Sequence, residues 1–445
     1  TGCLAPPDTQ GPEISRLAPQ GLALPAAQSF EAGPVLPATR ANAEMTADIG
    51  DLVFRMESGR AVPVLSRFEG PITVRMTGPV PPTAATDLSR LMARLRSEAG
   101  IDISAATGAD ASITVEFISR RALTSAVPQA ACFVAPGVSS WADYRRSRRS
   151  AGTDWAELRR REKATVFIPA DTAPQEVRDC LHEEIAQALG PLNDLYRLPD
   201  SIFNDDNMHG VLTGFDMLVL RVVYAPELAS GMPEAEVRAR LPGIIERLNP
   251  GGGDGGSGYY RDDTPAAYVS GIATAIAGRA GTVARRDAAI RAANIAEGAG
   301  WMDARAGFAH LIVGRILLAT DPNIALTALT RAQQIYDGRG MALQSAHVDM
   351  QLAAFALSQG DAAGAIARAD RAAPVAAAAQ NAGLLASLLM VKAEALDLAG
   401  QPDAARAMRL DSMGWARYGF GPETEVRARL AEIAALNPSR RRAGP

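Results

Sequence analysis

Glu183 and Gln187 stand one helical turn apart in the run Glu183-Glu184-Ile185-Ala186-Gln187-Ala188-Leu189-Gly190-Pro191-Leu192-Asn193-Asp194, so their side chains share a face. Gly190 suits a left-handed helix cap, and a turn there would bring Asn193 back toward that face. Glu184, beside them, has the chemistry of a general base that activates water. Asn204, Asp205 and Asp206 follow shortly downstream. Together Glu183, Glu184, Gln187, Asn193, Asp194, Asn204, Asp205 and Asp206 form an all-oxygen set suited to a hard cation such as Ca²⁺ or Mg²⁺. On the competing reading, which is preferred, no cofactor binds. The carboxylates and amides then bond one another and the loop backbone and hold a cleft in shape. A zinc centre is not expected, because it needs nitrogen or sulfur donors. The segment offers only His182, one residue out of register, and His209; His310 and His347 lie far down the chain.

These residues need a helix and a sheet behind them. A helix is expected from Pro174, suited to a first-turn position, to Gly190. Strands are expected over Pro71–Met76, Ile101–Ser104, Ser112–Ile118 and Thr165–Pro169, and a helix over Asp87–Ala99, where Leu88, Leu91, Met92 and Leu95 recur at helical spacing. The segment is therefore read as α+β. Between its elements, Trp141–Lys163 concentrates Arg145, Arg146, Arg148, Arg149, Arg159, Arg160 and Arg161 around Trp141, Tyr144 and Trp155. Two readings stand: docking onto an anionic surface, or a solvated insertion loop.

The chain has 445 residues, which at roughly 150 per domain implies two or three. Its net charge of −4 gives no global basic field, so nucleic acid is not an expected partner. No stretch reads as a membrane span: the most apolar one, 372–391, is broken by Pro374, Gln380 and Asn381. A glycine-rich linker over 249–258 separates two regions, 46–248 and 259–437. A Pro/Ala-rich tether occupies 1–45, and a basic tail 438–445. Beyond the linker everything reads as helix. Thr320, Gly360 and Gly400 each precede an alanine five residues later, at Ala325, Ala365 and Ala405, which sets a period of 40. Leu352, Ala353, Ala356, Gly360, Ala365 and Ala372 fall at offsets that resemble the tetratricopeptide hairpin, although that family repeats every 34 residues or so. A non-repetitive helical bundle is the alternative. Stacked hairpins imply protein binding.

The motif-bearing segment resembles the matrixin branch of the metzincin metalloproteases over about 68–225. That family binds zinc through two histidines four apart and a third after a glycine turn, with a glutamate base after the first. A Ser-Ile-Met turn and a Leu-Thr-x-x-Asp helix follow. Here Glu183, Gln187 and Asn193 occupy the histidine positions, Glu184 keeps the base position, Phe203 replaces the methionine, and Leu212-Thr213-Gly214-Phe215-Asp216 keeps the helix start. More narrowly, 183–194, 201–207 and 212–232 resemble a family of bacterial lipoproteins known as domain of unknown function 2927. The resemblances imply a degenerate metzincin-like domain with a mixed sheet, followed by an all-α, tetratricopeptide-like domain.

Thr1-Gly2-Cys3 resembles the end of a bacterial lipobox, which implies lipid on Cys3, membrane anchoring and a periplasmic location; Leu4 then favours the outer membrane. Lipidation of Cys3 would leave Cys132 and Cys180 for one disulfide in an oxidising compartment. Two separate buried thiols are the alternative. The expected function is a noncatalytic binding or scaffold protein for envelope proteins or cell-wall components. The alternatives are a metal-assisted hydrolase using Glu184, with a cation on Glu183, Gln187 and Asn193, and a structural spacer.

Overall fold

The computed structural model describes residues 24–31, 33, 36–128, 130–252, 263–278 and 280–442. Cys3, most of the glycine-rich linker and the last residues of the basic tail lie outside the described residues. The described residues divide into two compact units, one built largely on 36–252, the other on 263–442 together with 24–33.

The first unit is mixed α/β. Its five strands are β1 (Ile72–Thr77), β2 (Ile103–Ala105), β3 (Ile113–Ile118), β4 (Phe133–Pro136) and β5 (Ala164–Pro169), in the order β2-β1-β3-β5-β4. β1 pairs in parallel with β2 and β3, and β3 with β5; β4 alone runs antiparallel, opposing Val134 to Val166. Every residue of β5 is buried, as expected for an interior strand covered on both faces. The four strands read from sequence are all present within a few residues. β4 was not expected: it is four residues long and carries no alternation, so only its pairing with β5 reveals it.

The helices of this unit are α1 (Asn42–Phe54), α2 (Ala84–Ala99), α3 (Arg120–Ala126), α4 (Trp141–Ser147), α5 (Pro174–Leu189), α6 (Gly214–Val223) and α7 (Glu234–Leu248). α2 buries Leu88, Leu91, Met92 and Leu95, the predicted stripe, and stops at Gly100 with φ 69°. The core joins both faces of the sheet to Met45, Ile49 and Leu52 of α1 and Val177, Leu181 and Ile185 of α5.

The second unit is all helical: α8 (Ala266–Ile276), α9 (Thr282–Gly298), α10 (Ala304–Leu317), α11 (Pro322–Gly338), α12 (Ala342–Ser358), α13 (Ala362–Ala378), α14 (Ala382–Leu398), α15 (Pro402–Gly419), α16 (Glu423–Ala434) and α17 (Pro438–Arg442). From α11 to α15 the helices start at Pro322, Ala342, Ala362, Ala382 and Pro402, each 20 residues after the last, so a helix pair repeats every 40. The turns need a left-handed residue, and Gly340, Gly360 and Gly400 supply it, with Gln380 taking φ 54° in the same place. Ala325, Ala365 and Ala405, the alanines that set the sequence period, are all fully buried. A larger side chain there would push paired helices apart. In the same unit, residues from the Pro/Ala-rich segment lie along α15: Gln28 N donates to Gly414 O at 3.0 Å and Phe30 stacks on Trp415 at 4.5 Å. Part of the basic tail is folded as well, since α17 carries Arg440, which pairs with Glu394 at 2.7 Å. Among the described residues no helix is long and apolar enough to cross a membrane.

Candidate functional site

β5 delivers the chain to α5, and three contacts fix that helix. Cys180, one turn before Glu183, is bonded to Cys132 beside β4, with an S–S distance of 2.02 Å and a Cα–Cα distance of 6.1 Å. At the C-terminal end, where carbonyl oxygens lack intrahelical partners, Arg161 donates to Gln187 O at 2.5 Å and to Gly190 O at 2.7 Å. Burial pushes the pKa of Arg161 down to about 10, and its guanidinium lies 4.5 Å from the centroid of the Trp155 ring. Arg161 and Trp155 therefore leave the exposed basic patch and become core. Gly190 does not adopt the expected left-handed conformation, since it is not among the positive-φ glycines. It is small for a different reason: a Cβ there would come within 2.9 Å of Val223 Cγ1 on α6. The chain turns because Arg161 satisfies the helix end and Leu192 N continues to Leu52 O at 2.8 Å.

Glu183 and Glu184 lie at the centre of an acidic cluster. Glu183 is half-buried and lines a pocket with Cys132, Asp179, Cys180, Asn207 and His209. Burial, then the charges of Glu57 and Asp205, push its pKa up to about 8. Glu184 is only 3% exposed. Burial, followed by Glu183 and Glu57, holds its pKa well above the usual carboxylate range. Asp194 is raised well above it too, by burial and then by Glu57, Asp205 and Glu183. Glu57 is exposed, but the protein atoms around its carboxyl and then the Asp205 charge raise its pKa, and burial raises Asp205. Glu184 Oε2 is buried without a hydrogen-bond partner among the described residues, while the buried Asp194 carboxyl shares a hydrogen bond with the Glu57 side chain.

The other expected site residues serve the backbone. Asn193 Nδ2 donates to Asp51 O at 3.1 Å. Asn204 Nδ2 donates to Leu198 O at 2.5 Å and to Asp206 Oδ2 at 3.1 Å, while Asp206 accepts from Met208 N at 3.0 Å. Burial pushes Asp206 up to about 7. Gln187 is buried and anchors Arg161 through its carbonyl oxygen. His182 is a core residue: its Nδ1 accepts from Leu212 N at 3.1 Å, and burial holds its pKa well below the usual value. His209 Nε2 lies 3.2 Å from Pro199 O.

The turn at 201–203 and the start of α6 are one joint. Asp216 accepts from Ser201 Oγ at 2.5 Å, Ile202 N at 3.1 Å and Thr213 N at 2.8 Å, and Thr213 Oγ1 accepts from Asp216 N in return. This is a capping box that also grips the turn. Sequence reasoning missed the network under the loop at 190–200. There Asp48 of α1, wholly buried, pairs with Arg40 at 2.6 Å and Arg197 at 2.9 Å, and Arg197 reaches Asp51 at 2.6 Å. It also missed Glu57, on an exposed turn after α1, whose charge reaches the cluster. No spacing rule links positions that far apart in the chain.

Cys132, Glu183 and Glu184 each bring one potential ligand atom within 4.8 Å of the others. The sulfur of Cys132 is spent in the disulfide and is not the thiolate a zinc site uses. The donors at the three expected ligand positions are a carboxyl and two neutral amides, one of which is bonded to the backbone. That set does not fit zinc. The unpartnered Oε2 of Glu184, among other carboxyl oxygens, fits a hard cation better.

No curated protein and no solved structure matches the chain. A family model does, over residues 42–243, and it covers the sheet, α5 with its acidic cluster, and the 201–216 joint. The model is that of the family described as protein of unknown function (DUF2927), which this stretch resembles.

Proposed function

We propose that this chain is a noncatalytic, lipid-anchored envelope protein, in which a metzincin-like domain has become a binding scaffold, followed along the chain by a tetratricopeptide-like arm. The observation that carries the reading is the burial of Glu184. A general base must meet the proton it removes. Glu184 is 3% exposed, and burial holds its pKa well above the usual carboxylate range, which disfavours the charged base form. The five-stranded sheet leading into α5 supports the metzincin-like reading, and the 20-residue helix spacing supports tetratricopeptide-like hairpins. The Cys132–Cys180 bond suits an oxidising periplasm and accords with lipid on Cys3.

Peptide and cell-wall substrates incubated with the purified chain, with and without Ca²⁺ or Mg²⁺, test the proposal. No turnover is expected, and Glu184→Ala should capture envelope proteins as well as the parent chain does. Chelator-sensitive cleavage abolished by Glu184→Gln would overturn it.

The alternative is a cation-assisted hydrolase. The buried, partnerless Oε2 of Glu184, with the carboxyls of Glu183 and Asp194 nearby, favours it, because a hard cation would satisfy that oxygen. It requires Ca²⁺ or Mg²⁺ to bind stoichiometrically and Glu183→Gln to weaken that binding. Calorimetric titration of both proteins decides the point.

A further inference from the structure

The second unit contains a pocket of about 220 Å³ between the end of α8, the start of α9 and the outer turns of α10. Ile276, Ile312 and Ile316 give it an apolar floor, and Thr282, Arg285 and Arg315 stand around them. The charge arrangement lacks its complement. α9 opens at Gly281, which offers no side-chain acceptor, and its first turn contains no acidic residue. The end of a helix that favours anions instead carries Arg285, held toward α8 by its Nε donating to Ala275 O at 2.9 Å. Arg315 is exposed and makes no ion pair among the described residues. Although the side chain reaches solvent, the protein atoms around it and then repulsion from Arg285 and Arg429 lower its pKa. Arg429 is itself paired with Glu432 at 2.9 Å. Arg285 reaches the last turn of α8 and Arg315 stands in the last turn of α10, so backbone carbonyls face them, and neither guanidinium has a carboxylate partner among the described residues above the apolar floor.

We infer that this pocket binds a small amphipathic anion. Arg285, Arg315 and the first-turn N–H groups of α9 would hold a carboxylate or phosphate monoester head, and Ile276, Ile312 and Ile316 would cover its aliphatic chain. The pocket is smaller than the roughly 300 Å³ at which drug-sized sites begin, so the chain is short. The inference does not depend on the acidic cluster of the first unit.

Isothermal titration of the full chain with octanoate, octyl phosphate, octanol and inorganic phosphate tests it. One equivalent of an octyl anion should bind, and whichever of the two binds more tightly identifies the head group. Octanol, which lacks the charge, and inorganic phosphate, which lacks the chain, should each bind at least about tenfold more weakly. Arg315→Glu should lower affinity by about tenfold or more, the loss of one charge-assisted contact, while Arg315→Lys should stay within a few-fold. Arg315→Gln, which keeps most of the stem, serves if the glutamate variant fails to fold by circular dichroism. Absence of binding by both octyl anions, equal binding of octanol, or unchanged affinity in the Arg315 charge-removal variant would overturn the inference.

Discussion

Arg161 Nη2 donates to the Gly190 carbonyl oxygen at 2.7 Å, and with its second bond to Gln187 O it closes the C-terminal end of α5. The helix that carries Glu183 and Glu184 therefore ends on a residue drawn from the Arg-rich run that precedes β5. Removing the guanidinium would leave the Gly190 carbonyl oxygen without its donor and Gln187 O with only the 3.3 Å contact from Gly190 N.

Arg161→Met should accordingly cost about 2–4 kcal/mol of stability. Arg160→Met, one residue away and exposed, should cost less than about 0.5 kcal/mol. Urea denaturation of the two variants measures the difference, and equal midpoints would show that the cap contributes nothing.

The acidic cluster sets a pH dependence. Burial first, and neighbouring carboxylates after it, push Glu183 up to about 8 and Asp206 up to about 7, and burial pushes Asp216 up to about 6. In the unfolded chain such groups titrate near pH 4 or so. Between those values the folded state holds more protons, so stability must fall as pH rises through about 6 to 8. Thermal unfolding at pH 7 and pH 8.5, above the range in which the buried His182 and His209 act in the opposite sense, should show a lower midpoint at the higher pH, and Glu183→Gln should flatten the slope. A midpoint that rises across this range would contradict the assignment.

The Cys132–Cys180 bond closes a 48-residue separation that spans β4, α4 and β5. Replacing both cysteines by serine should cost about 4 kcal/mol through the larger entropy of the unfolded chain. A strong reductant should bring the parent protein to the same midpoint, measured by denaturant titration.

In the helical unit, Ala365 is fully buried at a helix crossing, whereas Ala363 on the same helix is exposed. Ala365→Leu should destabilise by about 1–3 kcal/mol through overpacking, and Ala363→Leu should be close to neutral. Comparable losses in both would argue against the repeat packing.

Local chemistry made much of this chain readable in one dimension. Leu88, Leu91, Met92 and Leu95 recur at helical spacing, so α2 was legible. Pro174 marked the start of α5, and the 40-residue recurrence of Ala325, Ala365 and Ala405 announced the paired helices, because side-chain periodicity follows directly from backbone geometry. β4 was not legible: four residues gain a strand's hydrogen bonds only by lying beside β5. The same holds for the site. Glu183, Glu184 and Gln187 shared a helix segment by sequence alone, but folding decided that Glu57, Asp194 and Asp205 would crowd Glu183. It also decided that Asn204 and Asp206 would bond their own loop, and that Arg161 would be core while Arg145 and Arg149 stayed in water. Desolvation and charge coupling depend on distances through space, which separation along the chain does not fix.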